Sequence, residues 1–500
     1  MSNIKALFSI SLLLLLGRLT GFLRDWLIIH KIGANIYSDF TLVLITIPDL
    51  MVSLLIGGGF AASVIPKLKS LNENDAFRFF INLFLIIFCL FSFIAFILSL
   101  NTINFLYLLA PGIPEEFVIE HKYYFWLTTI AIPLTACGGI MKAKLDSYNL
   151  FLYGAMGTLL FNISIIGFLY FSYSFEFVKS VTIGILAGAF LRFLFQLSGI
   201  LQIHRPVVEK NINNSIDKSF LASLFQALTF SSILFILPII SRSIASSLSE
   251  GSYTLFNLAY LLNELPIAII FGAFATILLT RISELHNEGN KRKVSIAVSS
   301  SIRMALLISF SISIPTIFYS SELTEFIFSS TNLTEHDMKS VSQMVMISYF
   351  FLPFRVLISL MFPILSSIKA LQNLFLISSI ILITLLTSSQ IMLDKFGLNG
   401  VMFSYGIANL VGAIAMIYLL NKKFGFYTIF KIIKFPITAF LIPSISSILI
   451  NYIGTSYFSG TYAMIFFGLF SAVIFFLVFI INDKNFLFQD YQKTINKLDS

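Results

Sequence analysis

The residues of this chain that could do chemistry are ionisable and polar groups set inside apolar sequence. Arg18, Arg24 and Asp25 interrupt a first run near 6–28, and Asp39 opens a second near 40–65 that Pro48-Asp49 divides. Asn162 lies in a fifth run near 151–173, and Asn257, Asn263 and Glu264 precede Pro266 in an eighth near 253–280. A charge at the centre of a bilayer costs roughly 2.5–3.5 kcal/mol on insertion scales, so such groups pair with one another or mark a functional path. Arg18 stands about 12 residues into its run, about 18 Å deep at the helical rise, too deep to snorkel easily. Gly17, Thr20, Gly21 and Arg24 recur at i, i+3, i+4 and i+7, which makes one small, polar helix face. That spacing predicts a polar strip turned inward with Arg24 projecting into a cavity, and Arg18 able to partner Asp25 two turns away. Planar guanidinium forks suit carboxylate or phosphate oxygens, so the implied chemistry is recognition of an anionic group. Arg192, Arg303 and Arg355 lie nearer run ends, where snorkelling to the interface is expected.

The elements that must position these groups are membrane helices. The chain has 500 residues, 57% hydrophobic and only 11% charged, with a mean hydropathy of +0.92. A soluble domain carries roughly 25% charged residues. Fourteen apolar runs recur, near 6–28, 40–65, 78–100, 123–141, 151–173, 181–203, 220–241, 253–280, 297–320, 341–368, 372–393, 400–421, 435–454 and 461–482. Each is long enough to cross a hydrocarbon core of roughly 30 Å. The expected fold is an all-α polytopic membrane protein with about 14 transmembrane helices. A soluble enzyme, a nucleic-acid module and a secreted disulfide scaffold are excluded. Cys89 and Cys137 both sit in apolar runs, and no two of the five His stand at ligand spacing. Neither a metal nor a cofactor is expected. Lys5 and the run Ala6–Leu16 imitate a signal peptide, but no small-x-small cleavage pattern follows, so an uncleaved first helix is expected.

Loop charge sets the orientation. With the N-terminus and every second loop assigned to one side, 21 of the 32 Lys and Arg fall there, 6 on the other side and 5 inside spans. The positive-inside rule makes the richer side cytoplasmic, with both termini on it. The polar loop 204–218 falls after the sixth span. It predicts an N-terminal six-helix lobe (1–203), a cytoplasmic linker (204–218), a second six-helix lobe (219–421) and a final pair of helices with a cytoplasmic tail (422–500). At an offset of 214, Gly58, Phe60, Ala61 and Leu71 meet Gly272, Phe274, Ala275 and Leu285, a weak internal repeat. Two such lobes around a central cavity are a common transporter plan. Gly57, Gly58, Gly59 and Gly272 are then candidate flexible or closely packed gating points.

The string Gly17-Arg18-Leu19-Thr20-Gly21-Phe22-Leu23-Arg24-Asp25, followed by Gly33-Ala34, Ser38-Asp39 and Ile47-Pro48-Asp49-Leu50, resembles the opening of the MurJ (MviN) family. The resemblance continues through Gly58-Gly59-Phe60-Ala61, the stretch from Thr158 through Asn162 to Phe168, and Asn263-Glu264-Leu265-Pro266. Members of that family are lipid II flippases of the multidrug/oligosaccharidyl-lipid/polysaccharide exporter superfamily. The resemblance implies a flippase that moves an undecaprenyl-diphosphate-linked glycan from the cytoplasmic to the periplasmic leaflet of the bacterial inner membrane. It implies Arg18, Arg24, Asp25 and Asp39 as cavity residues. Asp49, Asn162 and Glu264 join them as substrate-binding candidates. Membrane lipids are the surrounding partner, a coupling ion or the membrane potential is the candidate energy source, and no nucleic acid is involved. Where the family has an arginine pair and a glutamate in span two, this chain has Val52, Ser53 and Gly57; where it has Asp-Arg in span eight, Tyr260-Leu261 stands. Charges have left in opposite-sign sets. The alternatives are an exporter of O-antigen or capsule repeat units, a cation-coupled drug antiporter using Asp49 and Glu264, and a glycan polymerase or ligase. The last would need catalytic groups on the non-cytoplasmic loops near 101–122 and 321–340, which offer Glu115, Glu116, Glu120, Glu322, Glu325, Glu335 and Asp337.

Overall fold

The structure, a computed structural model, describes residues 2–56, 59–171, 177–203, 220, 224, 235–271, 291–367, 371–424, 437–457 and 460–482. Every element among them is a helix. In chain order these are α1 (Ser2–Ile32), α2 (Ile36–Ile56), α3 (Gly59–Ser70), α4 (Glu73–Leu100), α5 (Thr102–Leu109), α6 (Glu115–Ser147), α7 (Phe151–Tyr170) and α8 (Phe177–Gln202). Then come α9 (Phe235–Ser246), α10 (Ser252–Pro266), a π-turn (Ile267–Phe271), α11 (Lys291–Phe318), α12 (Ser320–Phe328), α13 (Glu335–Phe350) and α14 (Leu352–Ser367). The last three are α15 (Leu371–Phe424), α16 (Ile437–Tyr457) and α17 (Thr461–Asn482). Gly57, Gly58, Gly272 and the linker 204–218 lie outside the described residues; Gly59 opens α3.

α4 shows why these segments fold as they do. Asn72 caps it by accepting the Asp75 amide at 2.8 Å, and Glu73 and Asp75 sit in its first turn, where the helix dipole favours negative charge. Ala76, Phe80, Leu83, Ile87, Phe91 and Ala95 form one buried stripe. The opposite face, with Leu85, Phe88, Phe93 and Phe96, is exposed and equally apolar. A helix that buries one face and presents hydrocarbon on the other is made for lipid. On α1, Leu12, Leu16, Leu19 and Leu23 are exposed in the same way.

Among the described residues, six helices are long and apolar enough to cross a membrane: α4, α6, α7, α8, Ala297–Phe318 of α11 and Asn373–Lys422 of α15. α15 serves two expected spans, because its backbone leaves the helical region at Gly397 (φ 53°, ψ −129°). α13 and α14 are bent by 55°. At 16 residues each they reach only about 24 Å, less than a hydrocarbon core of roughly 30 Å. Together they match the expected span 341–368, which is therefore broken. Pro266 has no N–H to continue the α-helical ladder, and the wider π-turn follows it. The two loops offered as sites for a polymerase hold short helices, α5 and α12.

The chain forms two compact units. The first comprises Met1–Leu261 with Ser330–Thr334, and the second Leu262–Ser329 with Glu335–Ser500. The core of the first runs through Phe79, Phe125, Ile132, Phe161, Ile165 and Ile185 of α4, α6, α7 and α8. The second contains a smaller cluster of Leu307, Ile314, Phe475 and Phe479, joining α11 to α17. Two glycines of the first unit sit where backbones nearly touch. A β-carbon on Gly112 would overlap the Ser246 carbonyl, and one on Gly251 (φ +80°) would stand 2.7 Å from the Ala34 oxygen.

Candidate functional site

The first unit gathers its intramembrane charges around Arg24. The Arg24 Nε donates to Asp25 Oδ1 at 2.7 Å, and its Nη1 donates to Asn162 Oδ1 at 2.9 Å. Asp49 Oδ2 lies 3.5 Å from the same Nη1. Asn162 Nδ2 donates onward to the Gly17 carbonyl at 3.0 Å, and Asn257 Nδ2 donates to Asp25 Oδ2 at 3.1 Å. Four helices, α1, α2, α7 and α10, thus meet on one ion pair. Its two carboxylates differ: the Asp25 side chain is 3% exposed and that of Asp49 46%.

The polar face of α1 is used differently from its sequence reading. Gly17 and Gly21 pack against α7, with a β-carbon on Gly21 falling 3.3 Å from Asn162 Nδ2 and one on Gly17 falling 3.6 Å from Thr158. Small residues let two membrane helices approach closely enough for the Arg24–Asn162 bond. Arg24 is buried against α7 instead of projecting freely. The expected Arg18–Asp25 pair does not form: Arg24, the adjacent residue, takes that carboxylate, while Arg18 is exposed and makes no ion pair among the described residues. Val52 and Ser53 continue α2 beyond Asp49.

Asp39 stands apart from this cluster. Its Oδ2 accepts the Gly251 amide at 2.8 Å, and its Oδ1 accepts the Thr254 amide at 2.9 Å and the Thr254 hydroxyl at 2.6 Å. Those donors are the otherwise unpaired first turn of α10, so the carboxylate caps a second helix and sits at the positive end of its dipole. Thr46 of α2 and Tyr253 of α10 share a further hydrogen bond of 3.1 Å.

Two arginines expected to snorkel do not. Arg192 of α8 is 2% exposed, and among the described residues its Nε and Nη2 have no hydrogen-bond partner; Gln196, one turn on, is fully buried, with neither amide atom hydrogen-bonded among those residues. Room for them comes from glycines: a β-carbon on Gly138 of α6 would fall 2.8 Å from Gln196 Oε1, and one on Gly157 of α7 3.1 Å from Arg192 Nε. Arg192 and Arg242 both lie within electrostatic range of Asp49. Position near a run end gave no hint of this. The usable signal was Gly138 and Gly157, small residues on the two helices that flank α8.

In the second unit Glu264 is paired. Arg355 of α14 donates through Nε to Glu264 Oε1 at 2.8 Å, its Nη2 reaches the same oxygen, and its guanidinium carbon lies 5.1 Å from the Tyr405 ring centre. Asn263 Nδ2 donates to the Ser348 carbonyl at 3.0 Å, and Tyr349 donates its hydroxyl to the Leu262 carbonyl at 2.9 Å. The polar residues before Pro266 thus serve different partners, with Asn257 bound to Asp25 and Asn263 and Glu264 to α13 and α14. No group of three or more His, Cys, Asp or Glu side chains that could hold a metal ion occurs among the described residues.

These charges on lipid-facing helices belong to a polytopic membrane protein, and the fold is that of the MOP superfamily of transporters. An inward-facing MATE transporter of that superfamily superimposes with a TM-score of 0.67 at 14% identity, over 84% of this chain and 97% of its own. A lipid II flippase MurJ in an inward closed conformation superimposes with a TM-score of 0.81 at 18% identity, over 95% of this chain and 99% of its own. The family model for the lipid II flippase MurJ matches residues 28–473, and the chain belongs to that family. Two relatives agree. A probable lipid II flippase MurJ of Buchnera aphidicola subsp. Acyrthosiphon pisum is 27% identical over 68% of each chain. The lipid II flippase MurJ of Burkholderia cenocepacia is 23% identical over 85% of each.

Proposed function

We propose that this chain is a flippase that carries a polyprenyl-diphosphate-linked glycan, lipid II for peptidoglycan synthesis, from the cytoplasmic to the periplasmic leaflet. The family match over residues 28–473 carries this reading. The physical task suits the fold: the prenyl tail stays in the bilayer while diphosphate and sugars need polar surroundings. The lobes 1–203 and 219–421 rock about the substrate in alternating access, with 204–218 as the cytoplasmic linker and 422–500 as an appended helix pair and tail. The protein resides in the bacterial inner membrane with both termini cytoplasmic, supported by the loop charges. It transports and does not make or break covalent bonds. The polyprenyl carrier is undecaprenyl, and a coupling ion or the membrane potential supplies the energy.

Substrate contact falls to Arg24 and Asn162 and to exposed Arg18, with Asp25 and Asp49 as the carboxylates that hold Arg24 and with Glu264 acting from α10. Asp39 is the least available of the candidates, since three donors of α10 hold its carboxylate. Replacement of the family's charges by Val52, Ser53, Gly57, Tyr260 and Leu261 favours one second reading, transport of a different lipid-linked repeat unit. Depleting the protein in its own host and identifying the intermediate left on the cytoplasmic side separates the two. Accumulation of lipid II is the expected result. Accumulation of another glycan lipid with normal lipid II turnover overturns the lipid II assignment, and accumulation of neither overturns the flippase reading.

A further inference from the structure

The two acidic partners of Arg24 are not equivalent. Asp25 is buried, bonded at 2.7 Å to Arg24 and held on its other oxygen by Asn257. Asp49 makes a loose 3.5 Å contact and keeps nearly half of its side chain exposed. It follows Pro48 in α2, and a proline inside a helix removes one rung of the ladder and tends to bend it. Three cations act on Asp49: Arg24 in contact, and Arg192 and Arg242 at longer range. Arg192 has two guanidinium nitrogens without a hydrogen-bond partner among the described residues. With Asp39 fixed on α10, three arginines act on this pair of carboxylates among the described residues, an excess of positive charge that an anion would meet.

We propose that Asp49 is a tethered internal competitor of the substrate's anionic head. Its carboxylate holds the outer face of the Arg24 guanidinium when no phosphate is present, and an arriving phosphate displaces it while Asp25 and Asn162 keep the guanidinium in place. The group displaced is a carboxylate whose side chain is already partly exposed, so letting go of Arg24 does not uncover a fully enclosed charge. The inference rests on the diphosphate-lipid reading above and adds a specificity element to it: a ligand must offer a stronger acceptor than one carboxylate. A diphosphate does: it carries more negative charge than one carboxylate and can take two parallel bonds from an arginine fork, where Asp49 makes a single contact of 3.5 Å. A neutral head does not, and a cation would be drawn to Asp49 itself.

The test uses the full-length chain in lipid nanodiscs and titrates farnesyl diphosphate, with farnesol as the uncharged control, into wild type, Asp49→Asn and Asp49→Glu. Removing a competing, partly exposed carboxylate is expected to tighten diphosphate binding by about three- to five-fold, the worth of an exposed ion pair. The gain should shrink as salt rises. Asp49→Glu keeps the charge and should bind as wild type does, and farnesol should not distinguish the three. Unchanged or weaker diphosphate binding by a well-folded Asp49→Asn protein overturns the competitor role and leaves the flippase reading standing. Failure of all three proteins to bind the diphosphate overturns both.

Discussion

At the scale of single residues, the Arg24–Asp25 pair sets two demands that a variant series can separate. Removing one member of a buried pair leaves a charge without its partner and costs about 3–5 kcal/mol. Arg24→Ala should therefore lower the melting temperature clearly, and Asp25→Asn in the same chain should restore much of the loss. If Arg24 also binds phosphate, the double variant regains stability but still fails to support growth when the wild-type protein is depleted. Growth with the double variant would make the arginine helix glue alone. Adding Asp39→Asn instead should restore nothing, because Asp39 caps α10 and does not touch Arg24. The charged residues of this site were legible because a charge in an apolar run is conspicuous. Asn162 and Asn257 stood out in the same way, but their pairing with Arg24 and Asp25 did not, since it spans 138 and 232 residues, distances that spacing rules do not reach. Arg192 was missed for a related reason. A helix-end arginine ordinarily snorkels, and only packing against Gly138 and Gly157 keeps it inside.

At the scale of elements, most membrane helices were legible from length and hydropathy, and their interruptions only in part. The π-turn after Pro266 was foreshadowed only as a proline in span eight. The break at Gly397 falls in the gap between the expected spans 372–393 and 400–421, whereas the bend between α13 and α14 falls within the single expected span 341–368. The short helices α5 and α12 sit in stretches whose acidic residues read as loops. The stretch Ser249-Glu250-Gly251-Ser252-Tyr253-Thr254 has a helix-start composition, with small and polar residues at the first turn of α10. What sequence could not show is that the cap comes from Asp39 on another helix. Replacing a capping side chain with alanine costs about 1 kcal/mol, while asparagine caps nearly as well as aspartate. Asp39→Ala should lower protein stability and speed hydrogen exchange at the Gly251 and Thr254 amides, with Asp39→Asn closer to wild type. Unaltered exchange in Asp39→Ala would show that the cap does not hold the start of α10.

At the scale of the whole molecule, orientation is open to a direct chemical measurement. Ser70 and Asn332 are both exposed. In a chain with Cys89 and Cys137 replaced by serine, single cysteines at 70 and 332 should respond oppositely to an impermeant thiol reagent added outside intact cells. Position 332 should react and position 70 should not; the reverse pattern would invert the proposed topology. The close backbone contacts at Gly112 and Gly251 have a further consequence, and it is genetic. Every base change that replaces a glycine codon by that of another amino acid adds a β-carbon. Such a carbon would strike the Ser246 or Ala34 carbonyl, a backbone atom that no compensating side-chain change can remove. These two points of the first unit are thus closed to gradual drift, and altering either takes a coordinated shift of main chain that single mutations do not supply.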